Sequence, residues 1–158
     1  MIKPIQHSDF ENCLSIIRES FASVAKEFSI TEENCPNRTS FISMKNLEYH
    51  AKNNYKMYGY FINDNLIGYV SLENKGDGIF ELRNLAVLPE YRHKGIGKQI
   101  LDFCKVKVKE FDGNKITLGI IEENAILRNW YAANGFLHTG TKTFEHLPFI
   151  TGYMECTL

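Results

Sequence analysis

The segment Leu85-Ala86-Val87-Leu88-Pro89-Glu90-Tyr91-Arg92-His93-Lys94-Gly95-Ile96-Gly97-Lys98 holds the residues of this chain best suited to gripping an anion. A buried-type apolar run leads into a short loop, and glycines follow where a helix would begin. The first turn of a helix has unpaired backbone N–H groups and a partial positive charge. Glycines there let a phosphate reach the backbone. Arg92, Lys94 and Lys98 add positive charge around the same point. The segment reads either as a diphosphate cradle or as an ordinary helix start with a solvated basic turn. Two other phosphate loops are excluded. The pattern G-x-x-x-x-G-K-S/T is missing, and the dinucleotide fingerprint needs a third glycine where Ile100 or Leu101 stands.

Arg92-His93-Lys94-Gly95-Ile96-Gly97 resembles the R/Q-x-x-G-x-G/A signature of the GNAT superfamily of N-acetyltransferases. The preceding Leu85 to Tyr91 resembles that family's strand and turn. Asn124-Ala125, then Tyr131, then Gly135-Phe136 is similar to its second signature, N-x-x-x-x-x-x-Y-x-x-x-G-F. The resemblance is strongest over residues 79–140. It implies an α+β fold, a twisted mixed sheet of about seven strands flanked by about four helices. Two neighbouring strands, 79–88 and 115–121, would splay apart to admit the pantetheine arm of acetyl-coenzyme A. Backbone groups of Leu85 and Val87 would pair with that arm. A backbone N–H in the Leu85–Ala86–Val87 region would meet the oxyanion. The N–H groups of His93, Lys94, Gly95, Ile96, Gly97 and Lys98 would hold the diphosphate, and Asn124 would contact the coenzyme arm.

The implied reaction is direct attack by a primary amine of a small molecule or peptide on the thioester, within a ternary complex. It needs an amine without its extra proton, donors for the oxyanion and a proton for the departing thiolate. Tyr131 matches the family tyrosine near the coenzyme sulfur. A phenol, with a reference pKa of about 10, is protonated at neutral pH and can donate; a plain packing tyrosine is the other reading. Glu81 is the best general-base candidate, against a cross-strand ion pair. Strand alternation puts Glu81, Arg83 and Leu85 on one face and Leu82, Asn84 and Ala86 on the other. Glu122 and Glu123 are rivals, and water is a further alternative. Some members carry a base where this chain has Gly119. Arg128, Lys94 and Lys98 could meet the coenzyme's 3′-phosphate. A non-catalytic acetyl-coenzyme A-binding domain, acting as a sensor or structural part, is the alternative function.

These groups need a scaffold. A short strand is expected over residues 1–6. A Ser8–Glu11 capping box then opens a helix whose apolar residues follow a 3.6 period. A loop around Asn34-Cys35-Pro36-Asn37 precedes a second helix at about 43–53. Strands at 57–62, 66–72 and 79–88 are joined by turns at Asn63-Asp64-Asn65 and Gly76-Asp77-Gly78. Helices at 95–111 and 124–134 flank a strand at 115–121, Gly135 closes the second of them, and the tail reads as two strands. Residues 21–50 and 144–152 would line the acceptor side with Phe21, Glu27, Phe28, Tyr49, Phe144, Glu145 and Phe149. Trp130 reads as core or wall.

The totals set the bounds. The chain has 158 residues, 44% of them apolar and 23% charged, and a net charge of −1. That suits one globular domain spanning 1–158 and gives no case for nucleic acid. No leader or membrane segment is visible, so the expected location is the cytoplasm, with no membrane partner. A homodimer is open. Cys13, Cys35, Cys104 and Cys156 form no C-x-x-C pair and do not cluster with histidines, so reduced thiols and no metal site are expected. Cys35, in a polar stretch, is the thiol expected near solvent.

Overall fold

The computed structural model describes all 158 residues. Strand β1 (Ile2–Pro4) is followed by helices α1 (Phe10–Glu27) and α2 (Met44–Lys52) and by strands β2 (Lys56–Ile62), β3 (Asn65–Gly76) and β4 (Ile79–Val87). Then come helix α3 (Ile96–Glu110), strand β5 (Lys115–Ile121), helix α4 (Ala125–Ala133) and strands β6 (Leu137–Thr143) and β7 (Ile150–Thr157). Kind and order agree with the sequence expectation.

The strands form one seven-stranded sheet in the order β1-β2-β3-β4-β5-β7-β6. Neighbours are antiparallel except β4 and β5, which run parallel. A parallel pair needs a long crossover, and α3 supplies it. The β2–β3 turn uses Asn63 and Asp64 at φ 48° and 64°. Two successive left-handed residues match the twist of a hairpin.

β4 and β5 pair only at Ile79 with Lys115, Phe80 with Ile116 and Glu81 with Thr117. Beyond that they part, while β4 stays paired with β3 as far as Val87 and β5 with β7 as far as Ile121. This is the splayed pair that the resemblance implies.

β4 does not keep strict alternation. Its register with β3 shifts between Tyr69 and Ser71, and Asn84 has left-handed backbone at φ 56°. An extra residue of this kind reverses the phase of all that follows. Leu85 therefore packs on the same side as Leu82, and Ala86 packs against the opposite core. This corrects the expected grouping of Leu85 with Glu81 and Arg83, and of Ala86 with Leu82.

α1 and α2 cover one face of the sheet. Phe10, Cys13, Leu14 and Ile17 of α1, with Leu47 of α2, pack on Tyr69 and Ala86. α3 and α4 cover the other face, where Ile100, Leu101, Cys104, Val108 and Tyr131 meet Phe80, Ile116 and Leu118. Each fully buried aliphatic side chain contributes roughly 1.5–3 kcal/mol over an exposed one. A third cluster joins Ala25 of α1, Ile30 and Cys35 of the next loop and Ile121 of β5.

Two local expectations change. Residues 7–9 form a 3-10 turn ahead of α1. Asp9, not Glu11, accepts from the chain before it, taking the Gln6 N–H at 2.8 Å. Cys35 is buried, only 3% exposed, because its polar loop folds back and turns the thiol into the third cluster.

The left-handed residue in β4 yields a test. Asn84 tolerates that backbone better than a β-branched residue does. Asn84→Val should lower stability by about 1–2 kcal/mol, read as a fall in thermal midpoint. Asn84→Gly should lose less, even though it also removes the contact from Thr39 Oγ1, 3.5 Å from Asn84 Oδ1. Equal losses would show that the strain is not what Asn84 relieves.

Candidate functional site

The loop between β4 and α3 is built around its backbone. His93 and Gly95 have φ 61° and 79°, and Gly95 caps α3 in the left-handed conformation. Left-handed residues interspersed along a loop turn successive N–H groups into one concavity. The Tyr91 and Arg92 N–H groups donate to Leu88 and Pro89, and that of Gln99 donates to Gly95. Between them, the N–H groups of His93 through Lys98 donate to no backbone carbonyl. A Cβ placed on Gly95 would meet nothing within 4 Å. The result is an open, donor-lined hollow at the positive end of a helix.

The charged side chains of this loop are arranged differently from the sequence expectation. Arg92 points inward, with Nε donating to the Val87 carbonyl at 3.2 Å and Nη2 to the Ser20 carbonyl at 2.6 Å. It bolts the loop to β4 and α1. Lys98 pairs with Asp102. Lys94 lies 5.3 Å from the Tyr91 ring and has no carboxylate partner. Arg128 donates to the Glu122 carbonyl and carboxylate at 2.8 and 3.1 Å. Of the three cations considered for a phosphate, Lys94 alone has no carboxylate partner. Ile96 is buried in the core under α3, so only its backbone faces the hollow.

α4 packs beside the cradle. Its Trp130 ring lies 3.3 Å from where a Cβ on Gly97 would stand, so Trp130 is the wall expected of it. Asn124 caps α4, its Oδ1 accepting from Leu127 N–H at 3.2 Å. That leaves its amide N–H groups to meet a ligand. Tyr131 is 5% exposed and held edge-on by Trp130 and Phe136, at ring separations of 5.0 and 5.4 Å. Burial, and beyond it the neighbouring Cys104, pushes its phenol well above the usual tyrosine range. The phenol therefore keeps its proton at neutral pH.

Glu81 sits at the paired end of β4. Arg83 donates to its carboxylate at 2.8 Å, and Lys75 lies 3.8 Å away. Arg83 also binds Glu73 at 2.7 Å. Glu122, at the end of β5, is held by Arg128 and by His138, whose Nε2 is 2.9 Å from Oε2. Gly152 makes room for that carboxylate, since a Cβ there would collide with it. Glu123 is exposed. The Cys13 and Cys104 thiols are pushed up to about 12 by burial, so neither is a ready nucleophile.

On the α1 face, over the open end of the splay, the 27–43 loop meets the β6–β7 loop. Phe28, Phe41, Leu147 and Phe149 surround the cluster that contains Ile121. Phe21 and Phe149 both approach the Arg38 guanidinium, at 6.0 and 5.4 Å. Of the expected acceptor residues, the structure brings Phe21, Phe28 and Phe149 together. Tyr49 groups instead with His50 and Tyr55, and Phe144 with His146. Sequence reasoning passed over Arg38, because nothing in Pro36-Asn37-Arg38-Thr39 sets it apart from a surface cation. No helix is long and apolar enough to cross a membrane.

A family model described as the acetyltransferase (GNAT) family matches residues 19–136. An uncharacterized N-acetyltransferase from Lactobacillus delbrueckii subsp. lactis is 31% identical over 72 residues, 46% of this chain and 39% of that protein. The chain thus matches well under two thirds of that relative's length. Among solved structures, the PaiA N-acetyltransferase from Thermoplasma acidophilum in complex with coenzyme A superposes with a TM-score of 0.78 at 25% identity. That match covers 100% of this chain and 98% of the other. The ribosomal-protein-S18-alanine N-acetyltransferase from Escherichia coli gives 0.79 at 15% identity, over 99% and 92%, a likeness of fold alone.

The packing of Trp130 on Gly97 can be checked without a ligand. Gly97→Val should push the ring outward and shift the emission of the chain's one tryptophan to longer wavelength. An unchanged spectrum would place the indole elsewhere.

Proposed function

The chain belongs to the GNAT acetyltransferase family, and from that premise we propose that it transfers an acetyl group from acetyl-coenzyme A to a primary amine. The observation that carries the reading is the run of unpaired N–H groups from His93 to Lys98, at the positive end of α3 and the open end of the splay. Donors so placed fit a diphosphate. The hollow at Gly95 leaves room for one to approach.

When bound, acetyl-coenzyme A supplies an activated acetyl thioester. The pantetheine arm would lie between β4 and β5, whose edges beyond Glu81 and Thr117 are not paired to each other. Leu85 and Val87 would present backbone groups to it, and Asn124 its amide N–H groups. The acceptor nitrogen attacks the carbonyl carbon, and a backbone N–H of the Leu85–Val87 stretch stabilises the oxyanion. As the C–S bond breaks, Tyr131 gives its proton to the leaving sulfur. The acceptor's surplus proton leaves through water toward Glu81, whose carboxylate is shared with Arg83 and Lys75, cations that compete with a proton for it. Acceptors would enter from the α1 face, where Phe21, Phe28 and Phe149 gather.

Thiol release from acetyl-coenzyme A with an amine panel tests the activity. Coenzyme binding with no amine ever acetylated would leave a binding domain instead. Gly95→Val should weaken coenzyme A binding by at least about tenfold, by adding a side chain to the hollow and straining a left-handed position; titration calorimetry would read it. Tyr131→Phe should reduce kcat by about a hundredfold, within the usual range for a positioned proton donor, and leave coenzyme A affinity nearly unchanged. Equal kcat at saturation would remove Tyr131 from the chemistry. Glu81→Gln should shift the pH–rate profile. An unaltered profile would remove Glu81 from proton transfer.

A further inference from the structure

Arg38 is distinctive among the arginines of the chain. Arg18 donates to the Ile42 carbonyl, Arg83 to Glu73 and Glu81, Arg92 to Val87 and Ser20 and Arg128 to Glu122. Arg38 is half-buried, yet its guanidinium has no such hydrogen bond and no carboxylate within ion-pair distance. Its guanidinium carbon lies 6.0 Å from the Phe21 ring centre and 5.4 Å from that of Phe149, a ring that packs on the cluster of Ala25, Ile30, Cys35 and Ile121. Burial pulls its pKa below the usual arginine range, and only the Cys35 thiol opposes this. A guanidinium partly withdrawn from water with no carboxylate beside it is less well solvated than one in bulk water, so an anion that reaches it meets an unpaired cation. The segments that carry it offer further polar groups. Ser20 Oγ, beside Phe21, and Ser40 Oγ, in the same loop as Arg38, are both buried without a hydrogen-bond partner.

We infer that Arg38 holds the carboxylate of the acceptor, so that the substrate is a small amine bearing a free carboxylate, of amino-acid type. The inference rests on the acetyltransferase reading and names the acceptor class for that site. The two rings contact the guanidinium without accepting its N–H hydrogen bonds, and a planar carboxylate matches the geometry of those N–H groups. One cation amid apolar neighbours matches one negative charge; a phosphate dianion would call for more than one. The Thr39–Asn84 contact ties the loop to β4 where that strand has left β5. This puts the anchor and the unpaired edge of β4 within one wall of the acceptor side.

The test compares α-, β- and γ-amino acids with their carboxamides as acceptors, by thiol release from acetyl-coenzyme A. The wild type should favour at least one free acid over its amide by about tenfold or more in kcat/KM, the scale of one charge-assisted hydrogen-bond pair. Arg38→Gln should erase that preference, mainly through KM, and Arg38→Lys should restore part of it. Coenzyme A affinity should be the same in all three proteins, which also shows that the variants fold. Acids and amides accepted equally by the wild type would overturn the inference and leave the acetyltransferase reading standing. So would a preference that survives Arg38→Gln. Loss of coenzyme A affinity in a folded Arg38→Gln protein would assign the guanidinium to the coenzyme and overturn it too. Coenzyme binding with no acetyl transfer to any amine would overturn both.

Discussion

The site depends on a pairing that stops. β4 and β5 are hydrogen-bonded neighbours for Ile79–Glu81 and Lys115–Thr117 only. Each strand has its outer side secured, β4 by β3 and β5 by β7, so the inner edges stay apart without loss of the sheet. Unpaired strand edges are normally a liability. Here they lie inside the sheet, with α3 and α4 on one face and the α1 side on the other. An extended ligand can satisfy such edges as a strand would. The arrangement thus leaves backbone groups that an extended ligand of the kind proposed would satisfy.

Around this opening the work is divided between backbone and side chains. The unpaired donors of the β4–α3 loop are peptide N–H groups. The arginine in its signature faces inward and binds carbonyls of Val87 and Ser20. Charge that looked available for a phosphate is instead structural. It fixes the loop shape that makes the amides converge. Lys98 and Arg128 are likewise tied to carboxylates. Tyr131, by contrast, is a buried side chain, and burial, with Cys104 beside it, keeps its proton in place.

Much of this was legible in the sequence, and the parts that were not have physical reasons. Apolar periodicity, turn residues and two glycine signatures located the strands, the helices and the glycine loop before α3, because those features are local. The bulge at Asn84 was not legible. One residue in a left-handed conformation leaves no composition signal, yet it moved Leu85 and Ala86 to opposite faces from those expected. Cys35 misled because a polar loop was read as an exposed one, while its burial depends on Ile121 and Ala25, distant in the chain. The partners of Glu122 depend on Arg128, His138 and the missing side chain of Gly152, which only the fold brings together. Arg38 is the sharpest case. Its distinctiveness lies in what it fails to bind, and no sequence displays that.

The inward turn of Arg92 has a further consequence. Peptide amides do not titrate, so the side chains of residues 94 and 98 can drift in size and charge while the amide-lined hollow persists, whereas His93, at φ 61°, is held to residues that accept a left-handed backbone. What cannot drift is the curvature of the chain. The loop should thus tolerate chemical change outside and resist geometric change within, with Arg92 as the fastener that separates the two.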